Sequence, residues 1–276
     1  MSDPKRHPSG SGPVERPVLP WHSRFDLVSV TSVVLVAAVI GALVTIDGPR
    51  RDVDVLGNLV RFVGYFLPPD PSALGPALGG LVETVQIALI ATAAAVAVSL
   101  PLGVAASRNL SPRPLVLATR LLLNVVRTIP SLLWALIGVV LVGTNPVAGV
   151  IGLAAYSVGY LAKFTSDALE AADVRVPRSL TRAGASRVAA FRHGLWPQVR
   201  ATAWSHALWM LEYNVRSASI VGYVGAGGIG TWLHTYQEFG QWERFATVLL
   251  VILVVVTVLD LLGEAVRARL GGRPRG

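Results

Sequence analysis

Long apolar stretches alternate with short polar ones along this chain, after a polar start. A helix needs about 20 mostly apolar residues to cross a bilayer. Stretches of that kind predict spans near 27–46, 78–106, 115–143, 147–171, 202–223 and 245–265. The expected fold class is all-α: a polytopic membrane protein of about six transmembrane helices. Pro130 in the third stretch and the glycines closing the fifth predict a bend or break in each, tolerated where neighbouring helices satisfy the freed backbone groups. Between the first two spans, Val53, Leu56, Leu59, Val60, Val63 and Phe66 recur at helical spacing until Pro68-Pro69. That spacing predicts a short amphipathic helix on the outer interface, within an external segment that runs to residue 77. Packing over the bundle is its expected role, and gating the alternative. Residues 1–24, rich in Pro, Gly, Ser and Arg, read as a disordered tail. The stretch 27–46 reads as a retained span, because Asp-Gly-Pro-Arg-Arg follows it where a signal peptide would have small residues.

Composition supports lipid as the solvent. Of 276 residues, 53% are hydrophobic and 14% charged, whereas soluble domains carry about 25% charged residues. The net charge of +8 raises nucleic-acid binding as a reading. That reading is set aside because the positive charges sit in short loops between apolar runs. Most lysines and arginines fall on one side: Lys5, Arg6, Arg16 and Arg24, then Arg108, Arg113 and Arg120, then the loop near 172–201 and the tail with Arg267, Arg269, Arg273 and Arg275. The other side has Arg50, Arg51, Arg61 and Arg244. This bias predicts a multi-pass protein of the cytoplasmic membrane with both termini, including the basic tail 269–276, in the cytoplasm.

The loop 172–201 reads ADVRVPRSLTRAGASRVAAFRHGLWPQVRA. It predicts two short helical pieces, 178–183 and 186–193, meeting at Gly184. Val188, Phe191, Leu195 and Trp196 supply an apolar face, and Arg182, Arg187 and Arg192 a basic one. An apolar face in a cytoplasmic loop must pack on its own bundle or on a partner. Pro197 starts the return to the membrane.

Here the sequence resembles a family. The loop is similar to the EAA loop of ABC importer permeases, Glu-Ala-Ala, three residues, Gly, nine residues, then Ile-x-Leu-Pro. Gly184 and Pro197 have the required separation. Ala183-Gly184-Ala185-Ser186-Arg187 and Trp196-Pro197-Gln198-Val199 resemble the phosphonate permease version. Arg178 stands where the signature has Glu, while Glu170-Ala171-Ala172 spells the letters too far upstream. Further similarity lies in Glu83–Leu89, in Arg127-Thr128-Ile129-Pro130, and in the stretches 214–219 and 222–230.

The resemblance implies a type I ABC importer permease core over 78–268, with a cytoplasmic coupling loop at 174–200. Arg178, Ala183, Gly184, Ala185, Ser186, Arg187 and Pro197 would serve ATPase coupling. It also implies partners: a cytoplasmic ABC ATPase dimer, an external phosphonate-binding protein, and a second permease protomer, identical or homologous. The expected function is the membrane subunit of an ATP-driven importer of phosphonate or a related phosphorus oxyanion, working by alternating access. Another ABC importer for a different small solute is the alternative, and a secondary transporter a weaker one.

Charges at bilayer depth need a partner or a polar cavity. Glu212 and Arg216 are four apart on one helix and are expected to pair, either as a structural bridge or with Arg216 lining an anion pathway. Arginine suits phosphonate oxygens through its planar donor fork. Glu212, Asn214, Arg216 and Ser217 are the candidate pathway residues. Glu83 is expected to be a satisfied interfacial carboxylate. Arg127 and Lys163 are expected to snorkel at cytoplasmic ends.

Gly225, Gly227 and Gly230 satisfy G-x-G-x-x-G, but the dinucleotide fingerprint needs a preceding strand, and this stretch leaves an apolar helix. A tight reversal is expected instead. No P-loop occurs, so ATP hydrolysis must come from another chain. The five histidines show no metal-ligand spacing. No cofactor, metal site or catalytic activity is expected, and no nucleic-acid partner.

Overall fold

The computed structural model describes residues 27–46 and 54–270. The expected tail 1–24, residue Val53 and residues 271–276 lie outside these. The chain divides into two compact units between Asn58 and Leu59.

The first unit holds α1 (Leu27–Thr45) and the opening of α2 (Val55–Tyr65). The hydroxyls of Ser32 and Thr45 bond back to carbonyls one turn earlier in α1. A polar side chain in a lipid-facing helix is satisfied in this way. Asp54 starts α2 by accepting the Gly57 N–H at 2.8 Å. The amphipathic helix expected from 53 to 66 is present as Val55–Tyr65.

The second unit is a helical bundle built on α3 (Leu74–Ala106) and α6 (Pro146–Ala171). Ala77, Ala88, Ala91, Ala95 and Ala106 of α3 are fully buried. Small side chains let backbones approach closely, which drives helix association in lipid. A 3-10 turn (Pro71–Ala73) precedes α3 and is capped by Asp70. Asp70 also bonds the Arg244 guanidinium at 2.9 Å, and its carbonyl accepts the Thr247 hydroxyl at 2.8 Å. These bonds staple the N-terminal end of α3 to α11 (Trp242–Leu270). Just before them, Phe66 packs against Trp242 and Phe245.

The third expected span is two helices. α4 (Arg113–Thr128) and α5 (Ser131–Val142) meet at an angle of 89°. Pro130 removes a backbone donor and drives Ile129 out of the helical region, to φ −88° and ψ 119°. The Trp134 indole then donates to the Val126 carbonyl across the bend, at 3.1 Å.

The fifth expected span is α9 (Trp196–Gly222), followed by a glycine-rich turn and α10 (Ile229–Glu238). Ile229 meets Gly80 and Thr84 partway down α3. Tyr236 packs with Ala73, Ala77 and Val248 near the N-terminal end of α3. α9 thus runs from the 172–201 loop to the middle of α3, and α10 continues to the start of α3.

Four helical segments are long and apolar enough to cross a membrane: 28–45, Pro71–Ala106, Pro146–Ala171 and Trp242–Ala268. The bent α4–α5 pair makes a fifth. α9 fails on composition, a departure from the six expected spans. It carries Arg200, His206, Glu212, Asn214 and Arg216, and most of these find partners inside the bundle.

Candidate functional site

The loop after α6 folds into α7 (Arg175–Arg182) and α8 (Arg187–Ala190). A single π-helical turn, Phe191–Leu195, joins α8 to α9. The second piece of the loop is therefore continuous with α9. The corner between α7 and α8 has a local cause for each residue. The Ala185 N–H donates to the Leu180 carbonyl and the Gly184 N–H to Thr181, both at 3.0–3.1 Å. This pair of bonds is the Schellman helix stop, and it needs a left-handed residue at its centre. Gly184 supplies it with φ +90°. Ser186 then starts α8, its hydroxyl accepting the Ala189 N–H at 3.2 Å. Pro197 sits in the first turn of α9, where a missing N–H costs nothing.

The corner stands on a firm base and has an open tip. Leu195 and Val199 pack with Leu169 of α6. The Gln198 side chain bonds both the backbone N–H and the carbonyl of Asp173, at 3.0 and 3.1 Å, tying the start of α7 to α9. Nothing lies near the Gly184 Cβ position, and Val188 is 76% exposed. Among the described residues, no ion pair includes Arg178, Arg182, Arg187 or Arg192. Among the described residues the basic face is thus unneutralised. Glu170 of the upstream Glu-Ala-Ala is committed elsewhere: it pairs with Arg120 at 2.6 Å and accepts the Arg108 N–H.

The polar residues of α9 divide into two sets. Asn214 is fully buried. Its amide donates to Thr92 of α3 and Ser157 of α6, each at 2.9 Å, and its oxygen accepts from Ser157 at 3.0 Å. Ser217 is buried beside it. Glu212 and Arg216 lie on the open side, but they do not pair with each other. Arg216 bonds both carboxylate oxygens of Asp260 at 3.1 Å, and Glu212 pairs with Arg267. The expected bridge along α9 is replaced by two bridges to α11, because α11 brings an acid and a base opposite them. With Glu264 these groups line a cleft of about 470 Å³. The side chains of Arg216 and Asp260 are 52% and 47% exposed.

Glu83 is satisfied, as expected, and its partner is the start of α10. Glu83 accepts the Gly228 N–H at 2.8 Å, and its neighbour Thr84 accepts the Ile229 N–H at 2.8 Å. Together they cap the start of α10, where Gly228 has φ +78°. The G-x-G-x-x-G stretch is thus a turn between helices, as expected. Arg127, expected to snorkel at a span end, lies beside the middle of α6 instead. It occupies the last turn of α4, against the bend, and packs on Gly159 and over the Tyr160 ring. Lys163 pairs with Asp167 one turn along α6. Asp260 and Arg267 were not among the candidates from sequence. Asp260 could have been found there, since it interrupts the apolar run 245–265.

Residues 99–272 match the family of binding-protein-dependent transport system inner membrane components. Over 213 residues the chain is 35% identical to the phosphite transport system permease protein PtxC of Stutzerimonas stutzeri, covering 77% of this chain and 78% of that one. It is 34% identical to the phosphate-import permease protein PhnE of Mycolicibacterium smegmatis, covering 75% of this chain and 40% of that one. An inward-facing structure of the MetNI methionine ABC transporter has a TM-score of 0.65 at 20% identity, over 74% of this chain and 100% of its own. An amino acid ABC transporter solved with histidines has a TM-score of 0.58 at 20% identity, over 79% of this chain and 100% of its own. These likenesses show the type I ABC importer permease fold. The chain belongs to the binding-protein-dependent transport system inner membrane components: it is a multi-pass membrane permease, not an enzyme.

Proposed function

We propose that this chain is the membrane subunit of an ATP-driven importer of phosphorus oxyanions, phosphite, phosphonate or phosphate. The observation that carries this reading is the α7–α8 corner. Its base is packed into the bundle, its tip is open, and its arginines lack carboxylate partners among the described residues. Such a corner suits the groove of a cytoplasmic ATPase. Because α8 runs on into α9 through one π turn, force applied at the corner reaches the middle of the bundle. Arg178, Ala183, Gly184, Ala185, Ser186, Arg187 and Pro197 form the coupling set, with Arg178 contributing positive charge where the family signature is acidic. The cargo follows the relatives, which are named as phosphite and phosphate permeases.

A half-exposed charged cleft cannot face acyl chains. The side of α9 and α11 that carries Glu212 and Arg216 therefore faces a polar path, closed by a second permease protomer. Asn214 and Ser217 stand behind that face and hold α9 to α3 and α6. An external binding protein delivers the cargo, and both termini are cytoplasmic.

The test is co-purification under gentle extraction. An ATPase should accompany the wild type and be lost with Gly184→Arg and with Val188→Glu. The second variant leaves the helix stop untouched, so it reports docking alone. Equal recovery with all three would place the ATPase contact elsewhere, and no ATPase with the wild type would remove the importer reading.

A further inference from the structure

Four basic side chains of the bundle have acidic partners. Arg120 meets Glu170, Lys163 meets Asp167, Arg216 meets Asp260 and Arg267 meets Glu212. Arg127 has none among the described residues, and its Nε is buried without a hydrogen bond. It lies 14 residues beyond the first residue of α4, about 21 Å along the helix. Its neighbour Gly159 is 12 residues from the end of α6, about 18 Å. Gly159 thus lies near the middle of the 26-residue α6, a helix long enough to cross a hydrocarbon core of about 30 Å, and Arg127 packs beside it at that level. An unpaired cation at that depth is costly and marks an ion path more often than a scaffold.

The surroundings hold the side chain in place without neutralising it. A Cβ on Gly159 would come within 2.9 Å of the Arg127 Cγ, so the glycine forms a notch for the stem. The guanidinium carbon sits 5.2 Å from the centre of the Tyr160 ring, at cation–π distance. From there an aromatic wall leads to the charged cleft. Tyr160 meets Tyr156 at 4.8 Å, and Tyr156 stacks on Tyr213 at 5.2 Å. Tyr213 lines the cleft with Arg216 and Glu212.

We propose that Arg127 is the mid-membrane anion contact of the translocation path, taking the oxygens of a phosphorus oxyanion. This deepens the importer reading and rests on it. Ring-face attraction is weaker than a carboxylate pair, so the guanidinium stays held but chemically unsatisfied. An oxyanion can then bind it and leave again.

The chain contains no cysteine, so Arg127→Cys carries a single thiol at the proposed contact. The complex with its ATPase and binding protein would be placed in proteoliposomes, and uptake of labelled phosphite, methylphosphonate and phosphate measured. Arg127→Cys should lose about tenfold or more of uptake, the scale of one transition-state contact. Aminoethyl methanethiosulfonate, which adds a cation, should restore most of it, whereas methyl methanethiosulfonate should not. Identically treated wild type corrects for thiols on the partner subunits. Arg127→Lys and Arg127→Met repeat the comparison without thiol chemistry, and Lys should retain uptake that Met loses. An unreactive thiol, equal rescue by both reagents, or equal uptake by Lys and Met would overturn the assignment of Arg127 alone. A wild-type complex that moves none of the three anions would instead overturn the cargo reading, and this proposal with it.

Discussion

At the scale of single residues, polar side chains in this bundle are defined by who meets them. Asn214 joins three helices from a fully buried position. Interhelical hydrogen bonds in membranes contribute about 0.6 kcal/mol each on average and up to about 1.7. Asn214→Leu should therefore lower stability by about 1–3 kcal/mol, read as a drop in the denaturation midpoint in detergent. No change would mean that the bundle repacks around the leucine. Asp70 gives a pH signature. The hydrogen bond from Arg244, helped by Ser72, lowers its carboxyl from 3.8 to about 2. A lowered value means that the staple stabilises the fold fully above pH 3.8 and is lost as pH falls from there toward 2. Asp70→Asn should be less stable at neutral pH, and its deficit against wild type should shrink through that window. A deficit that stays constant to pH 2 would show that the ion pair contributes nothing.

At the scale of elements, much was legible in the sequence. Gly184 followed by Ser186 announces a helix stop and a helix start, and both occur there. Pro130 announces the break between α4 and α5, because a proline acts on its own backbone and its predecessor's. Partners across helices were not legible. Glu212 and Arg216 have the spacing of a bridge, yet each finds a better-placed partner on α11, some 44 to 55 residues away. The depth of Arg127 was hidden for a related reason. The third apolar run looks like one rod, and only the 89° bend shows that Arg127 lies against a break between two helices. The caps from Glu83 and Thr84 likewise join residues 145 apart. Thr84→Val should leave a buried N–H at Ile229 unpaired, costing about 1–3 kcal/mol, with faster exchange at the start of α10. Unchanged exchange there would mean that Glu83 suffices alone.

At the scale of the whole molecule, the distribution of charge separates three surroundings. Lipid suits the apolar faces of α3, α6 and α11, where exposed side chains such as Leu89, Ile90, Val147, Leu253 and Val254 are aliphatic. A polar path suits the cleft between α9 and α11. An acidic protein surface suits the arginines of the α7–α8 corner. In the proposed reading two sides await a partner, the cleft a second protomer and the corner an ATPase.

The interrupted crossing made by α9 and α10 has a mechanical consequence. A straight rod pushed at its inner end must swing at its outer end by a similar amount. Here the rod is jointed at Gly225, Gly227 and Gly228, and α10 is pinned to α3 by Glu83 and Thr84 at the end of the joint. Under the proposed coupling, α9 is expected to pivot while α10 stays seated, so that opening on the side of the α7–α8 corner leaves the other side sealed. Spin labels spanning α3 and α10 should keep their distance during ATP turnover, while labels spanning the α7–α8 corner and α11 should not. Equal movement of both pairs would show that the joint is stiff.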